Sequence, residues 1–268
     1  MAVSGTRERM LGAAERLFAE RGFHGVSLRE IATAAEMGLS HLQYHFRSKD
    51  DLYHAVFERR ILAINHARLA RLDRVGQDSI GKPPEETLED IVRAFIEPAV
   101  MISRDRESGG DYYAQLIAQI SNEPAEHARR VSRDFTDPIA RVTIKALAQA
   151  LPELDQSSLP WAYIFAVGAM IASISRTGRV RLLSDGACDP DNVSRIVSLL
   201  VPFISGGFRA VCEAERARAP SGRLARADQE IRSESGKRKA SQPIKRSGLA
   251  EAPPPRPSRK RAGKSTHL

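Results

Sequence analysis

Cysteine is almost missing from this 268-residue chain, where Cys188 and Cys212 are the only two. A disulfide framework and a Cys-rich zinc site are therefore excluded on count. The opening residues, MAVSGTRERM, lack the apolar run of a secretory signal, which predicts a cytoplasmic protein. A glycine-rich phosphate loop and a GxSxG elbow are also missing, and no pair of acids has surroundings that would separate their pKa values. Enzymatic turnover is not expected, and no cofactor is implied. Strand patterning is lacking as well. Apolar residues recur at helical spacing nearly throughout, which predicts an all-α fold.

The net charge of +8 suggests a nucleic-acid partner, but its distribution matters more than its size. Residues 219–268 hold 13 Lys/Arg against 4 Asp/Glu, a net of +9, which leaves the other 218 residues at −1. That last segment, rich in Pro, Ser, Gly, Lys and Arg, reads as a disordered basic tail. Between Gln156 and Ser175 no side chain is charged, and the length would span a bilayer. Its serines and Pro160 favour a helix buried in protein, so no membrane partner is expected.

Helix signals are densest near the N-terminus. Thr6 is placed to cap a first helix with Met10, Ala14, Leu17 and Phe18 on its apolar face, ending near Gly22. Ser27-Leu28-Arg29-Glu30 has the capping-box pattern, in which serine and glutamate satisfy each other's backbone N–H. A short helix follows, then a break at Met37-Gly38 and a second short helix over Leu39–His45. Ser48 caps a fourth helix, expected over about 49–74, with Asp50 and Asp51 favouring its dipole. Further helices are expected over roughly 85–104, 110–121, 125–150, 159–177 and 190–216. The last start rests on Asp189-Pro190.

Two short helices around a tight break are the parts of a helix-turn-helix, whose second helix enters the major groove. With Leu42 and Phe46 turned inward beside Ile31 and Ala35, Ser40, His41, Gln43, Tyr44 and His45 are left at the surface. Glutamine pairs bidentately with adenine, and Ser, Tyr and His donate or accept at bases and phosphates. Arg29, Arg47 and Lys49 flank them as phosphate partners. His41 and His45 stand four apart, but they supply only two metal ligands, and Leu42 stands where a zinc protease needs glutamate. DNA contact is the stronger reading.

The run AAERLFAERGFHGVSLREIATAA, then LQYHF, then SKDDL, resembles the DNA-binding domain of the tetracycline-repressor family of bacterial regulators. That resemblance implies an all-helical homodimer that binds a double-stranded operator. Residues 1–50 would form the reading domain and 51–218 a ligand-binding and dimerisation domain, with the fourth helix linking them. By position it places base-facing residues at Ser40, His41, Gln43, Tyr44 and His45, and phosphate contacts at Arg29, Tyr44 and Lys49. It also implies a nucleoid-associated protein. The chain departs from the family pattern at Glu36, usually glycine, at Gly38, usually serine-like, and at Gln43, often tyrosine.

In the second domain, apolar and aromatic residues accumulate, and an apolar cavity between helices is the default small-molecule site. Tyr113, Leu116, Ile117, Phe135, Trp161 and Phe165 are the expected lining, with Tyr113, Gln115, Gln119 and Arg141 as polar anchors. The segments FIEPAV, YYAQLIAQ, ALPEL and WAYIFAVGAM are similar to family members that respond to fatty acyl or aromatic compounds. Val193, Ile196, Val197, Leu200, Ile204 and Phe208 fall on one stripe, expected to form the dimer interface with the face around Gly168. The function these readings predict is a ligand-released repressor. The competing reading is a non-specific DNA-binding protein acting through its basic tail.

Overall fold

The computed structural model describes residues 2–175 and 177–218. The expected basic tail over 219–268 lies outside the described residues. Within them the elements are helical: α1 (Ala2–Arg21), α2 (Leu28–Ala34), α3 (Leu39–His45), α4 (Lys49–Asp78), α5 (Pro84–Arg104) and α6 (Gly110–Ile120), then α7 (Glu126–Val131), a π-helical turn (Ser132–Thr136), α8 (Asp137–Ala150), α9 (Leu159–Ile174), α10 (Arg179–Leu183) and α11 (Val193–Arg218).

Several starts follow from local chemistry. At α2 the capping box forms in full: Ser27 Oγ accepts from the Glu30 N–H at 3.2 Å, and Glu30 Oε2 accepts from the Ser27 N–H at 2.8 Å. Ser48 caps α4 through the Asp51 N–H at 3.0 Å. Other expectations shift. Helix α1 starts at Ala2, so Thr6 lies within it rather than capping it. Helix α11 starts at Val193 rather than at Pro190. Asp189 Oδ1 accepts from the Asp191 N–H in a turn, and Asn192 Oδ1 takes the capping bond from Arg195 N–H. The single helix expected over 125–150 is interrupted by the π turn just before Pro138, whose missing N–H cannot continue an α-helical ladder.

The α2–α3 turn passes through Glu36, which holds φ +56°, in the left-handed region. This is where glycine is usual in the family, and a residue with a Cβ is strained there.

Helix α5 is the hub, packed against α4, α6, α8, α9 and α11. Its junction with α6 is exceptionally close. A Cβ on Gly110 would lie 1.7 Å from the Ile102 carbonyl oxygen, so only glycine lets α6 begin there.

The reading helices are tied to α4 through α1. Glu15 is 2% exposed. Its carboxylate accepts from Arg60 Nε at 3.0 Å and Arg60 Nη2 at 3.1 Å, and it also pairs with Arg59. Arg59 reaches Glu8 as well, at 3.2 Å.

One stripe of α11 differs from expectation. Val197, Leu200, Ile204 and Phe208 are buried within the protomer against α5 and α9, not presented to a partner. The opposite face, with Leu199 and with Phe203 at 71% exposure, is the one left open. Val193–Ala217 is long and apolar enough to cross a membrane, and one stripe of it is buried against α5 and α9.

Two substitutions test this account by chemical denaturation. Glu36→Gly is expected to stabilise the chain by about 0.5–1 kcal/mol by relieving the left-handed strain. Glu15→Gln leaves Arg59 and Arg60 without their shared anion, and a loss of about 3 kcal/mol is expected.

Candidate nucleic-acid interface and effector cavity

Helix α3 is held by two inward side chains. Leu42 and Phe46 are buried against Ile31 and Ala35, and the Arg7 guanidinium lies 5.6 Å from the Phe46 ring centre. This leaves Ser40, His41, Gln43 and Tyr44 exposed, Tyr44 at 83%, with His45 partly so. The His41 and His45 rings are 5.2 Å apart, and Tyr44 meets His45 edge-on. All five candidate base-facing residues therefore share one continuous surface. Arg29 is exposed on α2. Lys49 is partly sheltered, its ammonium 4.4 Å from the Phe23 ring centre, and desolvation lowers its pKa. At the start of α4, the Asp51 N–H is already engaged by Ser48. The Asp51 carboxylate is held below the usual carboxylate range by a side-chain hydrogen bond with Ser48 and by Arg130.

The α1–α2 loop and the start of α4 also touch α7. His127 of α7 stacks on Phe23 with ring centres 3.9 Å apart, beside His24 and Tyr53. Burial pushes the His127 pKa down, and nearby His24 adds to this. Arg130 of α7 pairs with Asp51 at 3.1 Å. The π turn that follows is anchored to α4 at two points. His54 Nε2 lies 2.8 Å from Asp134 Oδ2, and Asn65 Nδ2 donates to the Phe135 carbonyl at 2.8 Å.

A cavity of about 620 Å³ lies among α4, α5, α6, α8 and α9. Tyr113 and Ile117 line it as expected. The other expected lining residues fall elsewhere. Leu116 points into the core at 0% exposure, and the Phe135 ring packs on His54. Trp161 and Phe165 sit on the outer face of α9, at 66% and 64% exposure. Helix α9 is apolar on every side, so its periodicity could not tell the cavity face from the outer one.

Among the proposed anchors, Gln119 donates to the Ala19 carbonyl and ties α6 to α1, while Arg141 is exposed. Of the four, Tyr113 lines the cavity, and the other polar groups there are Arg68, Tyr163, Ser121, Asn122, Ser132, Thr136 and Asp137. Arg68 went unread in the sequence, although a signal was there. It falls on the apolar stripe Ile61–Ile64–Arg68–Leu72 of α4, where a cation is out of place.

Residues 10–56 match the family model described as "Bacterial regulatory proteins, tetR family", and residues 93–207 match "Tetracyclin repressor-like, C-terminal domain". The chain belongs to the tetR family. The two matches cover the helix-turn-helix and the cavity-bearing half, in family order. Relatives of this tetR-family chain include the HTH-type transcriptional regulator AcrR of Shigella flexneri, 30% identical over 38% of this chain and 45% of that one. The HTH-type transcriptional regulator RutR of Escherichia coli K12 is 44% identical over 39% of this chain and 44% of that one. The matched stretches thus span less than half of these relatives. The fold is similar to that of the fatty acid degradation regulator FadR from Bacillus halodurans, with a TM-score of 0.51 and 15% identity over 73% of this chain and 94% of that one. A TetR-like transcriptional regulator from Rhodococcus sp. RHA1 aligns with a TM-score of 0.50 and 22% identity over 76% and 96%.

The His127 contact makes a pH prediction. Because its folded pKa lies below the ordinary histidine value, the unfolded chain takes up the proton first as pH falls. The contribution from His127 is fully present above about pH 6.5 and is lost as pH drops through the folded value. Denaturation midpoints measured from pH 7.5 to 5 should decline, and His127→Phe should flatten that decline. An equal slope in the variant would assign it to other groups.

Proposed function

We propose that this chain is a ligand-responsive repressor that binds a pseudo-palindromic operator as a homodimer in the cytoplasm, on the nucleoid. One observation carries the reading. A single 30-residue helix, α4, begins at the reading surface and passes the effector cavity, so both sites bear on one rigid element. Residues 1–50 serve as the reading domain and 51–218 as the ligand-binding and dimerisation domain.

In this reading, Gln43 and His41 address base edges, with Ser40, Tyr44 and His45 beside them. Arg29, Tyr44 and Lys49 take phosphates. The partner subunit covers the open apolar faces of α9 and α11, around Trp161, Phe165 and Phe203. Symmetry then sets two α3 helices about 34 Å apart, one DNA turn. A small, largely apolar effector occupies the cavity.

From Lys49 to Arg68 the helix spans about 29 Å, so a modest tilt at the cavity becomes a larger shift at the reading end. The π turn gives the effector its purchase. Ser132 and Thr136 line the cavity, while Asp134 and Phe135 hold α4 and the adjoining α7 holds Phe23 and Asp51. An effector shifts the balance between head spacings only by its different affinity for the two.

The competing reading, non-specific binding through the basic tail, rests on the +9 carried by residues 219–268. One selection experiment separates the two. Binding sites enriched from random DNA should share an inverted repeat with half-sites about one turn apart. Gln43→Ala and Tyr44→Ala should each cost about 1–3 kcal/mol of discrimination. Deleting 219–268 should remove only a salt-dependent, sequence-blind share of affinity. A chain that loses all binding with the tail, and ignores the α3 changes, would be the non-specific protein instead.

A further inference from the structure

Arg68 is 6% exposed and charged, in a wall that is otherwise mostly apolar. Its Nε donates to the Phe95 carbonyl at 2.8 Å, Nη2 lies 3.5 Å from Met170 Sδ, and the guanidinium sits 4.4 Å from the Phe95 ring centre. Among the described residues, no carboxylate pairs with it. Such a charge is costly to bury, and a packed apolar residue is commonly at least as stable there.

Two phenols, Tyr113 and Tyr163, act electrostatically on the same guanidinium. Neither hydroxyl hydrogen-bonds to another described residue. Burial raises both phenol pKa values, that of Tyr163 to about 12, so both stay protonated donors at physiological pH. A guanidinium with no carboxylate partner and two phenols whose hydroxyls have no acceptor among the described residues thus line one cavity. Phe95, Ile117, Val167 and Ile171 supply apolar surface around them.

We infer that the effector is an amphipathic monocarboxylate, its carboxylate held by Arg68 with Tyr113 and Tyr163 and its apolar body lying along α5, α6 and α9. The planar guanidinium fork matches a carboxylate, and the low dielectric strengthens that pairing. Asp137, also in the lining, opposes a second negative charge and so disfavours dianions. This assignment rests on reading the cavity as the effector site, and it goes further by naming the head group.

The test is calorimetric titration of the full chain with two acids and their neutral counterparts: dodecanoate against dodecanol, and biphenyl-4-carboxylate against biphenyl-4-methanol. At least one acid should bind about tenfold or more tightly than its alcohol. Arg68→Met should erase that preference without lowering the melting temperature, because it removes a buried charge and keeps the volume. Tyr113→Phe with Tyr163→Phe should weaken the preference while leaving the fold intact, which provides a second arm should the Met variant misfold.

Alcohols that bind as tightly as acids, a preference that survives in Arg68→Met, or no binding of either acid would each overturn the assignment. The same ligand-free preparation is assayed on the selected inverted repeat. Sequence-specific DNA binding without carboxylate preference sinks only this inference, whereas carboxylate binding without DNA preference sinks the regulator reading.

Discussion

The carboxylate of Glu15, buried between two arginines of α4, decides how force moves through this protein. A charge taken out of water at that depth is tolerable only while its partners stay in place. Helix α1 carries much of the core of the reading domain through Met10, Leu11, Ala14 and Phe18, and α4 carries Arg59 and Arg60. The ion cluster therefore joins α1, and the reading domain built on it, to the first half of α4 as one body. In the mechanism we propose, a displacement that begins near Arg68 would reach the reading surface as a rotation of that body, because slippage between α1 and α4 would strand the charges.

The second tie is softer and of a different kind. Helix α7 meets the reading domain through the stacked His127 and Phe23 rings and the half-exposed Arg130–Asp51 pair. Aromatic stacking gives way more gradually with displacement than a buried bidentate ion pair, and a half-exposed pair is screened by solvent. The π turn that follows α7 is a local departure from α-helical bonding, and such turns recur at functional sites. The stiff link is thus on the side of α1, and the compliant one is next to the cavity.

Much of the N-terminal third could be read from the sequence, because its signals are local. Ser27 and Glu30 lie three residues apart and satisfy each other without help from the rest of the chain. The inward turn of Leu42 and Phe46 follows from helical spacing alone. Glu36 was visible as a departure from the family pattern, and its left-handed backbone gives that departure a physical meaning. The cavity was less legible. Trp161 and Phe165 are chemically good lining residues, but a helix apolar all round carries no record of which side faces inward. The stripe of Val197, Leu200, Ile204 and Phe208 reads in sequence as a dimer interface, yet it is buried against the chain's own α5 and α9, a choice that only tertiary packing makes. Arg68, between Ala67 and Leu69, looks in sequence like any solvated helix charge. Only the stripe it interrupts reveals its burial.

Gly110 has a consequence for how such a cavity can change over evolutionary time. With α6 pressed onto the last turn of α5 at a separation no other residue permits, the wall carrying Tyr113 and Ile117 is fixed in register. Variation that enlarges or reshapes the chamber has to enter from α8, α9 and the π turn opposite. The chamber therefore behaves as a vice with one welded jaw: specificity can drift through the movable side while the welded side keeps its aim on α4.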